Sequence, residues 1–426
     1  MNADSLAQPQ GARLALLYRV SQTFNSSLDL DTVLNRVMDE VIAVTSAERG
    51  FVMLRDVDGS LGFRVARGMD RSMIDHPEFQ ISRGVVEQVA REGQPMLTSD
   101  AQRDERWSKR LSVIGLRLRS ILCVPLKSKD TVSGVIYVDN SLQAGIFAPD
   151  DLDLLAAIAS SAAIAIENAR LYQVAVEKGR MERELQMAHA VQASLLPHET
   201  PQVPGWEFEA RWQPARTVSG DYYDFIALDG GQIGLVIADV SDKGMPAAVF
   251  MALTRSTIRA TVSHLPTPAD GIAEANRLIC ADTADGMFVT LFYAMLDPSS
   301  GRLTYVNAGH NPPLLCRAGD HGEGELLEEL RPTGMALGIV DDFPFEQRTL
   351  ALQPGDSILL YTDGVPDATG EEQQFGMERL RRVVLGHRSA PVSGMVAALE
   401  HTIGDFTGGA AQFDDIAILA VKRLGV

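Results

Sequence analysis

The sequence is short of cysteine, of basic residues and of long apolar runs, and each shortage removes a class of protein. Three cysteines, Cys123, Cys280 and Cys316, are few and odd in number, which excludes a disulfide framework and points to a reducing compartment. No apolar run approaches the roughly 20 residues of a membrane span. The first residues, with Asp4, Gln8 and Pro9, lack the basic and apolar regions of a signal peptide. A cytoplasmic protein with no membrane partner is therefore expected. Lysine and arginine number 38 against 56 acidic residues, a net charge of −18. The deficit is uneven: 30 acidic residues face 16 basic ones from Gly205 onward, and 26 face 22 before it. An acidic half repels phosphate backbones, so nucleic acid is not an expected partner. With 46% hydrophobic residues over 426 positions, the chain is globular and long enough for two or three domains.

What is present is a set of aspartates in short distinctive phrases. Asp221 lies in Ser219-Gly220-Asp221-Tyr222-Tyr223-Asp224, and Asp239 in Ala238-Asp239-Val240-Ser241-Asp242-Lys243-Gly244. Asp363 lies in Tyr361-Thr362-Asp363-Gly364, and Asp414 in Phe413-Asp414-Asp415-Ile416. Each follows or interrupts a stretch with strand character, such as Leu235-Val236-Ile237 or Ser357 to Tyr361. Carboxylates gathered at strand ends make an oxygen site for a hard cation, Mg²⁺ or Mn²⁺.

Other phosphate chemistries find no support. A cysteine phosphatase needs Arg six residues after Cys, and those positions hold Lys129, Gly286 and Gly322. An aspartyl-phosphate enzyme needs Asp two residues before Asp363, where Tyr361 stands. Gly230-Gly231 and Gly408-Gly409 lack the spacing of a P-loop. His310, in Ala308-Gly309-His310-Asn311-Pro312, fits a turn held by side-chain hydrogen bonds better than a general acid.

These phrases together resemble the metal-dependent PP2C-type Ser/Thr phosphatases of the bacterial stress-response and sporulation branch. Pro214-Ala215-Arg216, Met287 to Tyr293 and Asn307 to Pro313 extend the likeness over about Gly205 to Arg423. The resemblance implies two Mn²⁺ or Mg²⁺ ions held by Asp221, Asp239, Asp363 and Asp414 with the Val240 carbonyl. Asp224, Gly364 and Asp415 would stand beside those ligands, and Arg216 would bind the substrate phosphate. Metal-activated water would hydrolyse phosphoserine or phosphothreonine on a protein, by family analogy a small anti-sigma-factor antagonist. Two alternatives stand: a catalytically weak module of the same fold that sequesters a partner, and a phosphatase acting on an unrelated signalling target.

The N-terminal half reads as a sensor. Helical spacing runs over Ala12 to Asn25 and Leu30 to Val44. Two strand-like runs flank Asp58-Gly59, a hairpin signal. Ile81 to Val86 opens a helix, and strands follow at Ser120 to Leu126 and Val132 to Val138. This order, with Gly84 to Ala90 and Gly93-Gln94-Pro95, resembles a GAF domain, an antiparallel sheet with helices packed on it. Its ligand is not readable: Asn140, Phe147 and Asp151 match part of a cyclic-nucleotide motif, but Ser141 and Leu152 break it. Cys123, inside an apolar strand, reads as a core thiol.

Between the halves, Ser160 to Leu196 contains no Pro and only Gly179. Ile164, Leu171, Val174, Met181, Leu185, Ala188 and Leu195 fall on a heptad seam, interrupted by Glu167, Lys178 and Gln192. A marginal coiled coil pairing two chains as a homodimer is the expectation, the alternative being one amphipathic helix packed on its own domain. Pro197, Pro201 and Pro204 end the helix in a stiff connector. The expected architecture is α+β: a tail at 1–11, a GAF domain at 12–167, coil and connector at 168–204, and a PP2C-like αββα sandwich at 205–426.

Overall fold

The computed structural model describes residues 7–24, 26–56, 58–70, 72–74, 81–104, 118–282, 286–318, 326–370, 373–410 and 412–425, with the side chains of 7–14 left aside. The chain divides into two compact units, Met1–Arg180 and Met181–Val426.

The first unit is built on one antiparallel sheet. Its strands are β1 (Arg49–Arg55), β2 (Leu61–Gly68), β3 (Met96–Thr98), β4 (Ser120–Ser128) and β5 (Thr131–Asn140), in the order β2-β1-β5-β4-β3. Helices α1 (Ala7–Phe24), α2 (Leu30–Thr45) and α4 (Pro149–Leu195) cover one face, and α3 (Arg83–Glu92) the other. Helix α2 starts where Asp29 caps the Thr32 amide at 2.8 Å. Its Val33, Leu34, Val37, Met38, Val41 and Ile42 recur at helical spacing, and all are buried. Asp58-Gly59 turns the β1–β2 hairpin as expected.

Some sequence expectations change here. Residues 7–11, read as a tail, begin α1; residues 1–6 and Asn25 lie outside the described residues. Helix α4 starts at Pro149 rather than near Ser160, because Leu155, Ile158, Ala162 and Ile166 supply a further stripe that the sensor core buries. By length and composition α4 could cross a membrane, contrary to the reading that no segment could. Alanines carry this stretch, and Leu155, Ile158, Ala162, Ile166 and Ala169 pack in the sensor core while Ile164 is exposed. Asn140, Phe147 and Asp151 are structural: Asn140 Oδ1 accepts the Leu142 and Gln143 amides, Phe147 is buried, and Asp151 accepts the Ala148 amide at 2.8 Å. Cys123 is fully buried, and burial pushes its thiol pKa up.

The second unit stacks two antiparallel sheets. One runs β13-β10-β9-β8-β7 and the other β12-β11-β14-β15-β6. Their strands are β6 (Trp206–Gln213), β7 (Tyr222–Ala227), β8 (Ile233–Val240), β9 (Val289–Asp297), β10 (Arg302–Ala308), β11 (Leu314–Cys316), β12 (Leu327–Glu329), β13 (Arg348–Ala351), β14 (Ser357–Tyr361) and β15 (Ile416–Arg423). Phe208, Phe225, Leu235, Phe292, Leu360 and Leu419 fill the layer between the sheets, as alternation along each strand requires. The outer face of the first sheet carries α5 (Met245–Val262) and α6 (Pro268–Asp282); that of the second carries α7 (Gly376–Gly386) and α8 (Val392–Thr407). This is the expected αββα sandwich.

Candidate metal centre

Two strand pairs, one in each sheet, deliver the carboxylates. Strands β7 and β8 are antiparallel with Tyr222 opposite Ala238, so Asp221, just before β7, and Asp239, near the end of β8, share one end. Strands β14 and β15 pair with Tyr361 opposite Ile418, so Asp363 and Asp414 also share an end. Thr362, next to Asp363, accepts the Ala417 amide at 2.8 Å and fixes that end of β14 against β15. Two glycines permit the approach. A Cβ on Gly220 would come within 3.1 Å of the Val240 carbonyl oxygen, and one on Gly364 within 2.0 Å of the Asp415 carbonyl oxygen.

The electrostatics are those of carboxylates that outnumber their cations. Asp221 is buried, and burial followed by repulsion from Asp239 raises its pKa far above the usual carboxylate range. Its Oδ2 is buried with no hydrogen-bond partner. Asp239 is pushed up to about 7, by burial first and then by Asp363, with Asp414 and Asp415 adding to it. Burial also raises Asp363, with Asp414 and Asp367 beside it.

The four aspartates therefore act on one another, yet among the described residues no three acidic, His or Cys side chains close around a single point. The resemblance implied a common ligand shell, and the arrangement is looser than that. Mutual repulsion and other partners account for it. Asp414 Oδ2 lies 2.9 Å from the Lys243 ammonium. Asp415 spends both oxygens on amides, accepting from Ala215 at 2.7 Å and Gly220 at 2.9 Å. Asp415 thus ties the 215–220 loop to β15. The donor set is hard oxygen throughout, and a buried unpartnered carboxylate oxygen faces it, so these residues fit a Mg²⁺ or Mn²⁺ ion.

Asp224, expected beside the ligands, turns elsewhere. Strand alternation points it at α5, where Arg259 Nη2 donates to it at 2.7 Å and Arg255 lies 3.5 Å away. Arg216 is exposed on the loop that Asp415 holds, with no ion pair or hydrogen bond among the described residues. His310 is buried; its amide donates to Asn307 Oδ1 at 2.8 Å and its Nδ1 lies 2.9 Å from the Thr290 hydroxyl. Burial lowers its pKa to about 4, so it stays neutral and cannot give up a proton near neutrality.

Three residues were missed by sequence reasoning. Gln192, read as a break in the coiled-coil seam, is buried within the catalytic unit. Its Nε2 donates to the Ser219 carbonyl at 2.8 Å, and the Ser219 amide donates to its Oε1 at 3.1 Å. His189 stacks on Trp212 with ring centroids 5.5 Å apart, and Trp212 Nε1 donates to the Asp221 carbonyl at 2.9 Å. The last turns of α4 thus grip the segment that carries Asp221. Gln192 falls on the heptad seam, so spacing could not separate it from a dimer position.

Comparison with known proteins gives two family matches: "Stage II sporulation protein E (SpoIIE)" over residues 229–424 and "GAF domain" over residues 29–166. The first begins after Asp221 and Arg216. Protein IcfG of Synechocystis sp. is 33% identical over 276 residues, covering 58% of this chain and 43% of that protein. Phosphoserine phosphatase RsbU of Bacillus subtilis is 30% identical over 246 residues, covering 57% of this chain and 71% of that protein. The chain thus spans less than half of the first relative and about seven-tenths of the second. Among solved structures, the SiaA-PP2C domain of Pseudomonas aeruginosa superposes with a TM-score of 0.52 at 22% identity, covering 59% of this chain and all of that one. That likeness carries the fold alone.

Proposed function

This chain belongs to the SpoIIE/RsbU family of PP2C-type phosphatases, joined here to a GAF domain, and we propose that it hydrolyses phosphoserine or phosphothreonine on a protein with the help of Mn²⁺ or Mg²⁺. The observation that carries this reading is the set of four buried or half-buried carboxylates brought to one end of two stacked sheets, of which Asp221 and Asp239 have no cation beside them. Asp221, Asp239, Asp363 and Asp414 would hold the ions, with the Val240 carbonyl. Bound divalent ions neutralise a phosphate dianion and lower the pKa of water.

The chain's own groups supply the rest. Arg216 offers an unspent guanidinium fork, which matches phosphate oxygens, on the loop fixed by Asp415. Asp415 holds that loop and leaves coordination to its neighbours. His310 supports the turn after β10. An anti-sigma-factor antagonist is the substrate that the family suggests. The GAF unit would act on the site through α4, whose Gln192 and His189 contacts end at Asp221. Two chains would pair along α4 through Ile164, Leu171, Val174 and Met181, which are all exposed.

The test is a phosphoserine peptide assay on protein stripped with EDTA and then reloaded with Mn²⁺. Activity should vanish on stripping and return on reloading. Full turnover in the stripped protein would overturn the metal reading. The sequestration alternative draws on one observation, the Lys243–Asp414 pair that keeps the shell open. It predicts tight partner binding with no turnover at any Mn²⁺ concentration.

A further inference from the structure

Lys243 is a solvent-exposed cation at the edge of the carboxylate site, directed there by the β8–α5 turn. It leaves the β8–α5 turn after Asp242, a non-glycine residue held at φ 79°, and before Gly244 at φ 82°. Left-handed backbone at a non-glycine residue is costly and persists where the surroundings demand it. The turn sends the side chain across to a segment 171 residues away in sequence. There Nζ lies 2.9 Å from Asp414 Oδ2 and 3.2 Å from the Phe413 carbonyl oxygen, which both accept from it, and 4.4 Å from the centre of the Phe413 ring. Its field also reaches Asp363. Carboxylate, carbonyl and aromatic face give the ammonium group three partners on one side, the other side open to solvent.

We infer that Lys243 is a tethered competitor of the divalent ion: it holds the Asp414 carboxylate until a metal displaces it, and so sets the metal affinity of the site. This rests on the metal reading proposed above. A carboxylate that is already ion-paired must give up that pair to coordinate, and the freed ammonium remains as a positive charge close to the incoming ion. Both effects weaken metal binding. The affinity then depends on what the protein does with Lys243, independently of the ligand count.

The experiment is Mn²⁺ titration of the full chain by calorimetry, with free Mn²⁺ followed by its electron paramagnetic resonance signal. Neither readout needs turnover. Lys243→Met keeps the length and apolar stem without the charge, and should tighten Mn²⁺ binding by about three- to fivefold. Lys243→Arg keeps the charge and should retain affinity within about threefold of the parent. If Lys243 only braces the 412–415 segment, Lys243→Met would weaken binding or leave it unchanged, and that result overturns the inference. Asp239→Asn serves as the control for the underlying reading. If the parent, Lys243→Met and Asp239→Asn all bind Mn²⁺ equally poorly while melting normally, the metal reading itself fails and this inference falls with it.

Discussion

Both units bury carboxylates, but they treat them differently. In the sensor, Asp139 is fully buried and Arg49 clasps it with two bonds, Nε at 2.8 Å and Nη2 at 3.0 Å. In the catalytic unit, Asp224 and Asp356 are likewise matched, by Arg259 with Arg255 and by Arg317. Asp221 and Asp239 have no such partner. A buried carboxylate with an arginine is consistent with architecture, because removing either partner strands a charge. A buried carboxylate facing other carboxylates costs stability unless something else neutralises it. The contrast separates framework from site within one residue type.

The largest expected effect breaks that contrast directly. Asp239→Asn should lower phosphopeptide turnover at least about 100-fold while leaving the melting temperature unchanged or higher, because a repulsive charge is removed. Asp139→Asn should do the opposite: it loosens the sensor and leaves the folded catalytic unit's chemistry intact. Turnover and thermal denaturation on both variants decide the matter. Equal loss of activity in the two would erase the distinction between matched and unmatched acids.

Next in size is a test of a matched acid. Arg259→Met leaves Asp224 buried with only the more distant Arg255, and should cost the catalytic unit about 3 kcal/mol in urea unfolding. Turnover per folded molecule should persist. A selective loss of activity would return Asp224 to the metal neighbourhood, where the sequence reading had put it.

That reversal shows where sequence reading stops. Asp221 and Asp224 sit in one phrase, and in chemical type they are alike. The fold separates them: Asp221 precedes β7 at the shared end, whereas Asp224 lies within the strand on its helix-covered face. The individual strands were legible because apolar alternation is local, and the αββα stacking because the aspartate phrases resemble a known family. The four aspartates were legible because each sits in its own phrase. The Lys243–Asp414 pair, Asp415's grip on the 215–220 loop and the Gln192 clamp on Ser219 all join distant segments. Periodicity along one segment carries no trace of them.

Smaller effects should appear with pH, and the two kinds of buried group give opposite signs. His310 has its pKa lowered from 6.5 to about 4, so the unfolded chain binds the extra proton in that window. Stability should therefore fall as pH drops from about 6.5 to 4, by roughly 3 kcal/mol in full. Asp239 is raised from 3.8 to about 7, so here the folded chain holds the extra proton. Without divalent ions, stability should fall as pH rises through that range, and Mn²⁺ should restore it most strongly above pH 7. Urea melts of His310→Asn and Asp239→Asn, each losing its own limb of the profile, separate the two contributions.

The smallest effects concern α4, where two seam positions that looked alike now part. Lys178 is exposed on the helix, within the stripe that holds exposed Val174 and Met181. Lys178→Leu should extend an apolar seam and tighten pairing of two chains by a few-fold, read by analytical ultracentrifugation. Gln192→Leu should not tighten pairing at all, since its side chain is buried against Ser219 and Ala248. It removes both bonds that hold the backbone two residues before Asp221. Mn²⁺ affinity and turnover should fall several-fold as that segment loosens, with little change in the sedimentation profile. Tighter dimers from Gln192→Leu would place this residue in the coiled-coil seam and leave His189 and Trp212 as the only grip of α4 on Asp221. Unchanged turnover would mean that the helix end braces the catalytic unit without influencing its site.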